Sequence, residues 1–235
     1  MSPVEFWLPI GAAAFYLYDA ALLLWQNELV YTRTGSSWLV DGGSQIRLGA
    51  RRLFLPNPLL PQRPQFLVRW SGSDPRAGEA DAEIPIGLLR ALRPIGTLNL
   101  AQVALLIALP IALWVDGAGI AALAVFALFY VLSIVALVLM FRRRAALGLS
   151  LRQCWMQALD AIACAPFAAN LTRRIALLHG FAGEPLRFAA RHFDAPTLAQ
   201  ARELVAARIH EELADPDATA QREQKLAAVL ARLGT

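Results

Sequence analysis

The polar side chains that could do chemistry are few, and they lie beside long apolar segments. Asp19 is the single carboxylate within the apolar run 6–25, and Asn27 and Glu28 follow that run directly. An ionisable group inside a membrane span is a candidate functional residue, because placing a charge in hydrocarbon is costly. The alternative for Asp19 is a packing role beside a polar neighbour such as Gln102. The sequence favours packing, because no second intramembrane charge accompanies Asp19.

A second group of polar residues lies in the mixed stretch 149–179, after the last long apolar arm. Asp160 there is a further carboxylate, and Arg173 and Arg174 follow it. We predict Asp19, Glu28 and Asp160 as catalytic candidates, and Asn27, Arg173 and Arg174 as binding candidates, for chemistry at the cytoplasmic mouth of the first span. Convergence of Asp19, Glu28, Asn170 and Arg173 on one lined cavity would favour a membrane-embedded enzyme or a transporter subunit.

The remaining reactive side chains carry no recognisable pattern. His179, His192 and His210 lie in different segments, and His210-Glu211-Glu212 lacks the second histidine of a zinc-binding helix. Cys154 and Cys164 are ten residues apart without a CxxC spacing. Glycine-rich phosphate loops and nucleophile elbows are missing as well. We therefore predict no metal and no cofactor.

Two long apolar arms within residues 98–144 dominate the hydropathy of the chain. Asp116 is the one formal charge between them, in a turn over 115–119 that is too short to hold a domain. Each arm can cross a hydrocarbon layer of about 30 Å at about 1.5 Å per helical residue. The chain is 57% hydrophobic and 17% charged, which also indicates the membrane class. We predict a transmembrane helical hairpin over 98–144 and a first transmembrane helix within 1–26.

The arginines predict the orientation of these spans. Nine lie between the first and second spans, and residues 142–144 are three consecutive arginines, whereas none precedes the first span or lies in the 115–119 turn. Because cytoplasmic loops are rich in basic residues, we expect the N-terminus outside and the C-terminus in the cytoplasm. The same topology explains the net charge of +4 without nucleic acid as a partner. Lys225 is the only lysine, which is typical of a GC-rich bacterial genome and suggests a bacterial inner membrane.

Residues 27–84 change from helical to alternating periodicity. They predict a small antiparallel β-sheet of three to five strands followed by a flexible linker over 71–83. Asp41-Gly42-Gly43 predicts a hairpin turn that joins 37–40 to 45–48. Residues 85–97 then predict a short helix in the membrane interface.

The loop 56–64 contains four prolines, which favour an extended backbone. One interpretation is a docking loop that offers Leu59 and Leu60 to a partner or to lipid. The other is a rigid connection between strands, and it is favoured because a proline pattern alone is weakly specific.

The last third of the chain predicts helices at the membrane and in the cytoplasm. Residues 145–182 predict an interfacial helix-break-helix, with Trp155 and Phe167 inward and arginines towards head groups. Residues 183–235 predict a cytoplasmic helical pair, one helix ending near Leu213 and the other over 219–233.

Together these patterns predict an α-helical integral membrane protein with three transmembrane helices, plus a small antiparallel β-sheet and a C-terminal helical pair on the cytoplasmic side. The leading functional hypothesis is an accessory or scaffolding protein whose spans anchor a cytoplasmic module for partner binding or self-assembly. Membrane lipid is the first predicted partner. Ala104, Ala108 and Ala112 form a small-residue stripe that predicts helix packing, within the chain or with another subunit. The alternative hypothesis is the enzyme or transporter subunit acting on a lipid-linked or small substrate.

Overall fold

The computed structural model describes residues 3–69, 86–116, 119–182 and 185–213. The fold is mostly helical, with two small sheets that are antiparallel apart from one parallel pair. The elements are α1 (Pro3–Ala20), β1 (Leu22–Leu24), β2 (Glu28–Thr34), β3 (Ser37–Asp41), β4 (Arg47–Leu48), β5 (Arg51–Phe54), β6 (Gln65–Arg69), α2 (Ile86–Asp116), α3 (Ile120–Arg142), α4 (Leu151–Ala163), α5 (Ala165–Ala169), α6 (Leu171–Leu177), β7 (Phe181–Ala182), α7 (Pro185–His192) and α8 (Ala195–Leu213).

The described residues belong to two compact units. The helical unit takes those within Met1–Ala21, Pro56–Pro64 and Ile84–Ile175, and the sheet unit takes those within Leu22–Leu55, Gln65–Glu83 and Ala176–Thr235. Among the described residues, two helices are long and apolar enough to cross a membrane, over Gly87–Val115 and Ile120–Arg142. These are the two arms of the predicted hairpin. The helix α1 is not among them.

The helix α2 is longer than the sequence analysis predicted. The interfacial helix 85–97 and the second span are one continuous helix, with Pro94 and Pro110 inside it. The reason is packing: Leu88, Leu92 and Ile95 are almost fully buried, and their helical spacing continues into the span. The free energy gained by burying this face outweighs the cost of the backbone hydrogen bonds that the two prolines cannot donate.

The helix α1 is shorter than predicted. It ends at Ala20, and Leu22–Leu24, which was assigned to the first span, is strand β1 paired with β5. Leu24 is 1% exposed in the apolar core between the two sheets. The composition of Leu22–Leu24 suits either a helix or a strand, and the burial of Leu24 between the two sheets favours the strand. As a consequence, Asp19 lies in the last turn of α1 rather than well inside a helix.

Three short helices follow α3, where a helix-break-helix was predicted. A capping box begins α4: Ser150 Oγ accepts a hydrogen bond from Gln153 N at 3.2 Å, and Gln153 Oε1 accepts one from Ser150 N at 2.8 Å. Cys164 breaks α4 from α5 with an extended backbone, and Pro166 lies in the first turn of α5, where its missing N–H is tolerated.

The sheet unit contains two sheets. One has the strand order β1-β5-β4, and the other has β3-β2-β6-β7, with β7 parallel to β6. Leu24 and Phe54 from the first sheet and Val30 from the second form the apolar core between them. On the other face of the second sheet, Tyr31 packs against Phe188 of α7.

The hairpin predicted at Asp41-Gly42-Gly43 is not formed. The strand β3 pairs with β2 through a turn at Gly35 (φ 59°), and β4 pairs with β5 through Gly49 (φ 64°). Gly43 N donates to Asp41 Oδ1 at 2.7 Å, and Ser44 N then donates to Leu53 O at 2.7 Å. The Asp-Gly-Gly turn therefore passes the chain from one sheet to the other instead of closing a hairpin.

The strands predicted in this unit are otherwise present, but they form two sheets rather than the single sheet that was predicted. Strands β2, β3, β5 and β6 match the alternating segments, and α8 covers the predicted helix as far as Leu213, the last described residue. The predicted linker 71–83 and the predicted helix 219–233 lie outside the described residues.

Candidate functional site

An arginine clamp joins three helices in the helical unit. Arg174 of α6 donates from Nη1 to Asp19 Oδ1 at 2.9 Å, from Nη2 to Asp160 Oδ2, and from Nε to Gln157 Oε1 at 2.7 Å. Its guanidinium carbon lies 5.2 Å from the centre of the Phe167 ring. Every nitrogen of this guanidinium group thus has an acceptor on α1 or α4. The clamp holds both helices to α6.

Asp19 and Asp160 differ in their surroundings. The side chain of Asp19 is 11% exposed and that of Asp160 is 48% exposed. Two carboxylates share one guanidinium group, so the cluster carries one excess negative charge when all three groups are ionised. Asp19 Oδ2 is buried and has no hydrogen-bond partner among the described residues.

Arg173, the neighbouring residue, fixes the proline-rich loop. Its Nη2 donates to Asn57 O at 2.6 Å and to Leu60 O at 3.1 Å, and its Nη1 donates to Asn170 Oδ1 at 3.1 Å. Within the described residues, no carboxylate forms an ion pair with Arg173, although the residue is only 2% exposed. Burial lowers the pKa of this guanidinium group below its ordinary value.

The loop 56–64 has two further attachments in the same unit. Tyr16 donates its hydroxyl hydrogen to Pro58 O. A Cβ atom at Gly96 of α2 would lie 3.2 Å from Gln62 Cα and from Gln62 O, so glycine lets the loop pack on the helix. Leu59 is 57% exposed, whereas Leu60 is partly buried. The loop is therefore held by its backbone, and it presents one of its two leucines to the outside.

A buried amide network connects α2, α3, α5 and α6. Asn99 Nδ2 donates to Gln102 Oε1 at 2.9 Å and to Ala168 O at 2.8 Å, while Asn99 Oδ1 accepts from Thr172 N at 2.9 Å. Gln102 Nε2 donates to Ser133 Oγ at 2.8 Å. Gln102, considered above as a neighbour of Asp19, is thus engaged elsewhere. Asn99 lies inside α2, and its side-chain oxygen supports the first turn of α6.

The sequence-predicted site residues separate into two groups. Asp19, Asp160, Arg173 and Arg174 come together in the helical unit through α1, α4 and α6. Glu28 lies in the sheet unit, where its carboxylate accepts from Arg69 Nε at 2.7 Å and from Trp25 N at 2.9 Å. Asn27 lies in the turn between β1 and β2. The candidates therefore divide between the two units, with Asp19, Asp160, Arg173 and Arg174 in the helical unit and Asn27 and Glu28 in the sheet unit.

The sheet unit contains a second charged cluster that the sequence did not reveal. Glu211 of α8 pairs with Arg52, with Arg47 at 3.4 Å and with Arg208 at 3.7 Å. Arg208 also donates to Gly42 O, the carbonyl of the chain crossing between the sheets. Burial, followed by the nearby charge of Arg52, lowers the pKa of Arg208. The pairing joins residues far apart in the chain, and no local spacing signals it.

Within the part of the chain that the structure describes, no group of three His, Cys, Asp or Glu residues could hold a metal ion. Cys154 and Cys164 are free thiols, and burial raises the pKa of both. Comparisons with protein-family models, curated proteins and solved structures find no match to the chain. The charged groups of the helical unit bind its helices and the loop 56–64 to one another. Their geometry therefore supports a structural role.

Proposed function

We propose that this chain is an integral membrane protein of accessory or scaffolding type, whose helical unit is the anchor. The observation that carries the anchoring is the exposed surface of α2 and α3. In each helix only 28% of the most apolar 18-residue stretch is buried. A core helix of a water-soluble protein would be covered, whereas these faces need an apolar solvent.

The exposed face of α2 changes composition along the helix. Arg90, Arg93 and Thr97 are exposed in its first half, and from Leu100 to Val115 the exposed side chains are apolar. This second part is about 24 Å long at about 1.5 Å per residue. On α3 the exposed apolar side chains run from Ile120 to Val138 over about 28 Å. Both lengths suit a hydrocarbon core of about 30 Å.

The candidate chemical residues support an anchor over a catalyst. The guanidinium groups of Arg173 and Arg174 are engaged by carbonyl, amide and carboxylate groups of the same unit. A substrate anion would have to displace these contacts. Buried polar contacts of this kind hold membrane helices together, because lipid removes the hydrophobic drive for helix association.

The finer topology belongs to the same proposal. The arginine distribution favours three spans with α1 as the first, the N-terminus outside, and residues 26–98 and 142–235 in the cytoplasm of a bacterial cell. The sheet unit then supplies the module that a partner or a second copy would bind.

Impermeant cysteine labelling tests the anchor and its orientation. In a C154A/C164A background, we expect Asp116→Cys to react from the periplasmic side and Ser36→Cys, in the exposed turn between β2 and β3, to react from the cytoplasmic side. Resistance to alkaline carbonate extraction should accompany this labelling. Cytoplasmic labelling of position 116 would contradict the topology.

Mass measurement tests the scaffolding role. The protein, purified from native membranes in mild detergent, should carry a protein mass above the 25.6 kDa of one chain. A strictly monomeric protein without a co-purifying partner would contradict scaffolding, and it would leave the anchor unaffected.

The alternative function is a membrane-embedded enzyme or transporter subunit. The observation that favours it is the convergence of Asp19, Asp160 and Arg174, with an excess carboxylate. Asp19→Asn keeps the size of the side chain and removes that excess charge. Under the alternative function, this variant loses activity or transport while the fold is retained, and Glu28→Gln in the sheet unit serves as the comparison.

A further inference from the structure

The helix α4 presents an exposed apolar stripe. Leu151, Trp155, Leu159 and Ile162 repeat at helical spacing, and their exposed fractions are 51%, 56%, 63% and 59%. Residues at this spacing lie along one face of a helix. A stripe of four large apolar side chains, each more than half exposed, marks a surface that contacts lipid or another protein.

The rest of α4 is held by the helical unit, so this stripe cannot turn inward. Cys154, Ala158 and Ala161 are buried on another face. Gln157 and Asp160 are bound by Arg174, as described above. The stripe, including Trp155 that was predicted to face inward, is therefore exposed, because small residues and the arginine clamp occupy the positions that face the rest of the helical unit.

The stripe has both apolar and basic neighbours. The Trp155 ring lies 5.2 Å from the ring of Phe141 in the last turn of α3, so the stripe continues the apolar surface of that helix. Four exposed arginines are close in the chain, and residues 142–159 contain no acidic side chain to neutralise them. These arginines are Arg142, Arg143, Arg144 and Arg152.

We propose that α4 lies in the plane of the membrane interface, with the Leu151, Trp155, Leu159 and Ile162 stripe at the acyl-chain boundary. Arg142–Arg144 and Arg152 would bind lipid phosphate groups beside it. This inference rests on the proposed membrane anchor. It names phospholipid as the ligand of a surface outside the two long apolar helices.

Charge and side-chain type favour lipid over a second copy of the chain. A two-fold interface places the same patch of both subunits together, so two arginine-rich rims would meet. Phosphates instead complement these arginines, and tryptophan is enriched where hydrocarbon meets head groups. An amphipathic helix with an apolar face and flanking basic residues is the form that interfacial helices take.

The test is the depth of a spin label in phospholipid nanodiscs, measured on the full chain in a C154A/C164A background. Labels are placed by Leu159→Cys on the stripe, Val131→Cys on the exposed face of α3, and Ser36→Cys in the turn between β2 and β3. Oxygen concentrates in hydrocarbon and a nickel chelate stays in water, so the ratio of their relaxation effects reports depth. We expect the ratio at 159 to be several-fold above that at 36 and below that at 131.

The possible results separate this inference from the proposed anchor. A hydrocarbon-like ratio at 131 with a water-like ratio at 159 would overturn the interfacial helix and leave the anchor standing. Water-like ratios at both positions would overturn both proposals. An immobilised label at 159 that neither reagent reaches would mean that protein covers the stripe, and this too would overturn the assignment to lipid.

Discussion

Different kinds of contact stabilise the interior of each of the two units. In the helical unit, α6 is tied to its neighbours by the buried polar groups of Asn99, Thr172 and Arg173 and by the partly buried Arg174. In the sheet unit, strands β2, β3 and β6 meet α7 and Phe193 through aromatic rings, while α8 is joined to β4 and β5 by the ion pairs of Glu211. Tyr31 lies 4.9 Å from Phe193, and Trp38 lies 5.3 Å from Phe188 and 6.0 Å from Phe66, measured between ring centroids.

This difference follows from the solvent that each unit is proposed to meet. Apolar side chains in water gain free energy by leaving it, so a small sheet can be stabilised by a cluster of rings. Apolar helices in lipid gain little by changing lipid contacts for protein contacts, so hydrogen bonds and close packing must hold them together. The polar residues of the helical unit therefore have a structural role, because their hydrogen bonds stabilise the packing of its helices.

The largest expected loss of stability comes from removing an aromatic ring from the sheet unit. Phe66 is 0% exposed, and Phe66→Ala should lower the free energy of unfolding by about 3–5 kcal/mol, because it leaves a cavity among the rings. Hydrogen exchange of the β2 and β6 amides in the full chain measures this loss. Leu39→Ala is the control, since Leu39 is 47% exposed, and equal effects of the two variants would contradict an aromatic core.

A smaller effect should come from the polar contacts of the helical unit. Arg173→Met removes the donor from Asn57 O and Leu60 O but also removes a buried charge, so we expect a net loss of about 2 kcal/mol. Exchange should accelerate at the Leu60 and Arg63 amides, which close the turns of the loop 56–64. Arg90→Met, at an exposed position of α2, is the control. Unchanged exchange in the loop would show that Arg173 does not hold it.

The smallest effect is a pH dependence in the sheet unit. Burial raises the pKa of the Tyr31 hydroxyl above its ordinary value near 10. The folded state keeps the proton while the unfolded state loses it, so the stability is fully present below about pH 10 and falls as the pH rises further, by at most about 1.4 kcal/mol per pH unit. Denaturant unfolding followed by near-ultraviolet circular dichroism should show this fall, and Tyr31→Phe should reduce it. An identical fall in both proteins would exclude Tyr31 as its cause.

Patterns within single segments predicted much of the fold. The apolar lengths of α2 and α3, the alternating strands and the helical pattern of α8 all follow from local composition and spacing. Local patterns misled where a segment suits two structures: Leu22–Leu24 could extend a helix, and Asp41-Gly42-Gly43 could close a hairpin. In both cases partners distant in the chain decided the result, namely β5 for the leucines and, for the turn, Leu53 and Arg208.

The candidate site shows the same division between local and distant information. The sequence alone determined which polar residues lie beside the apolar segments, because charge and hydropathy are properties of the residues themselves. Only the tertiary structure decided that Arg174 meets Asp19 and Asp160, that Glu28 pairs with Arg69, and that Arg173 holds a loop. Each of these contacts except Asp160–Arg174 spans more than 40 residues of chain. Such pairs form only when packing brings their elements together, and no spacing along the chain records that.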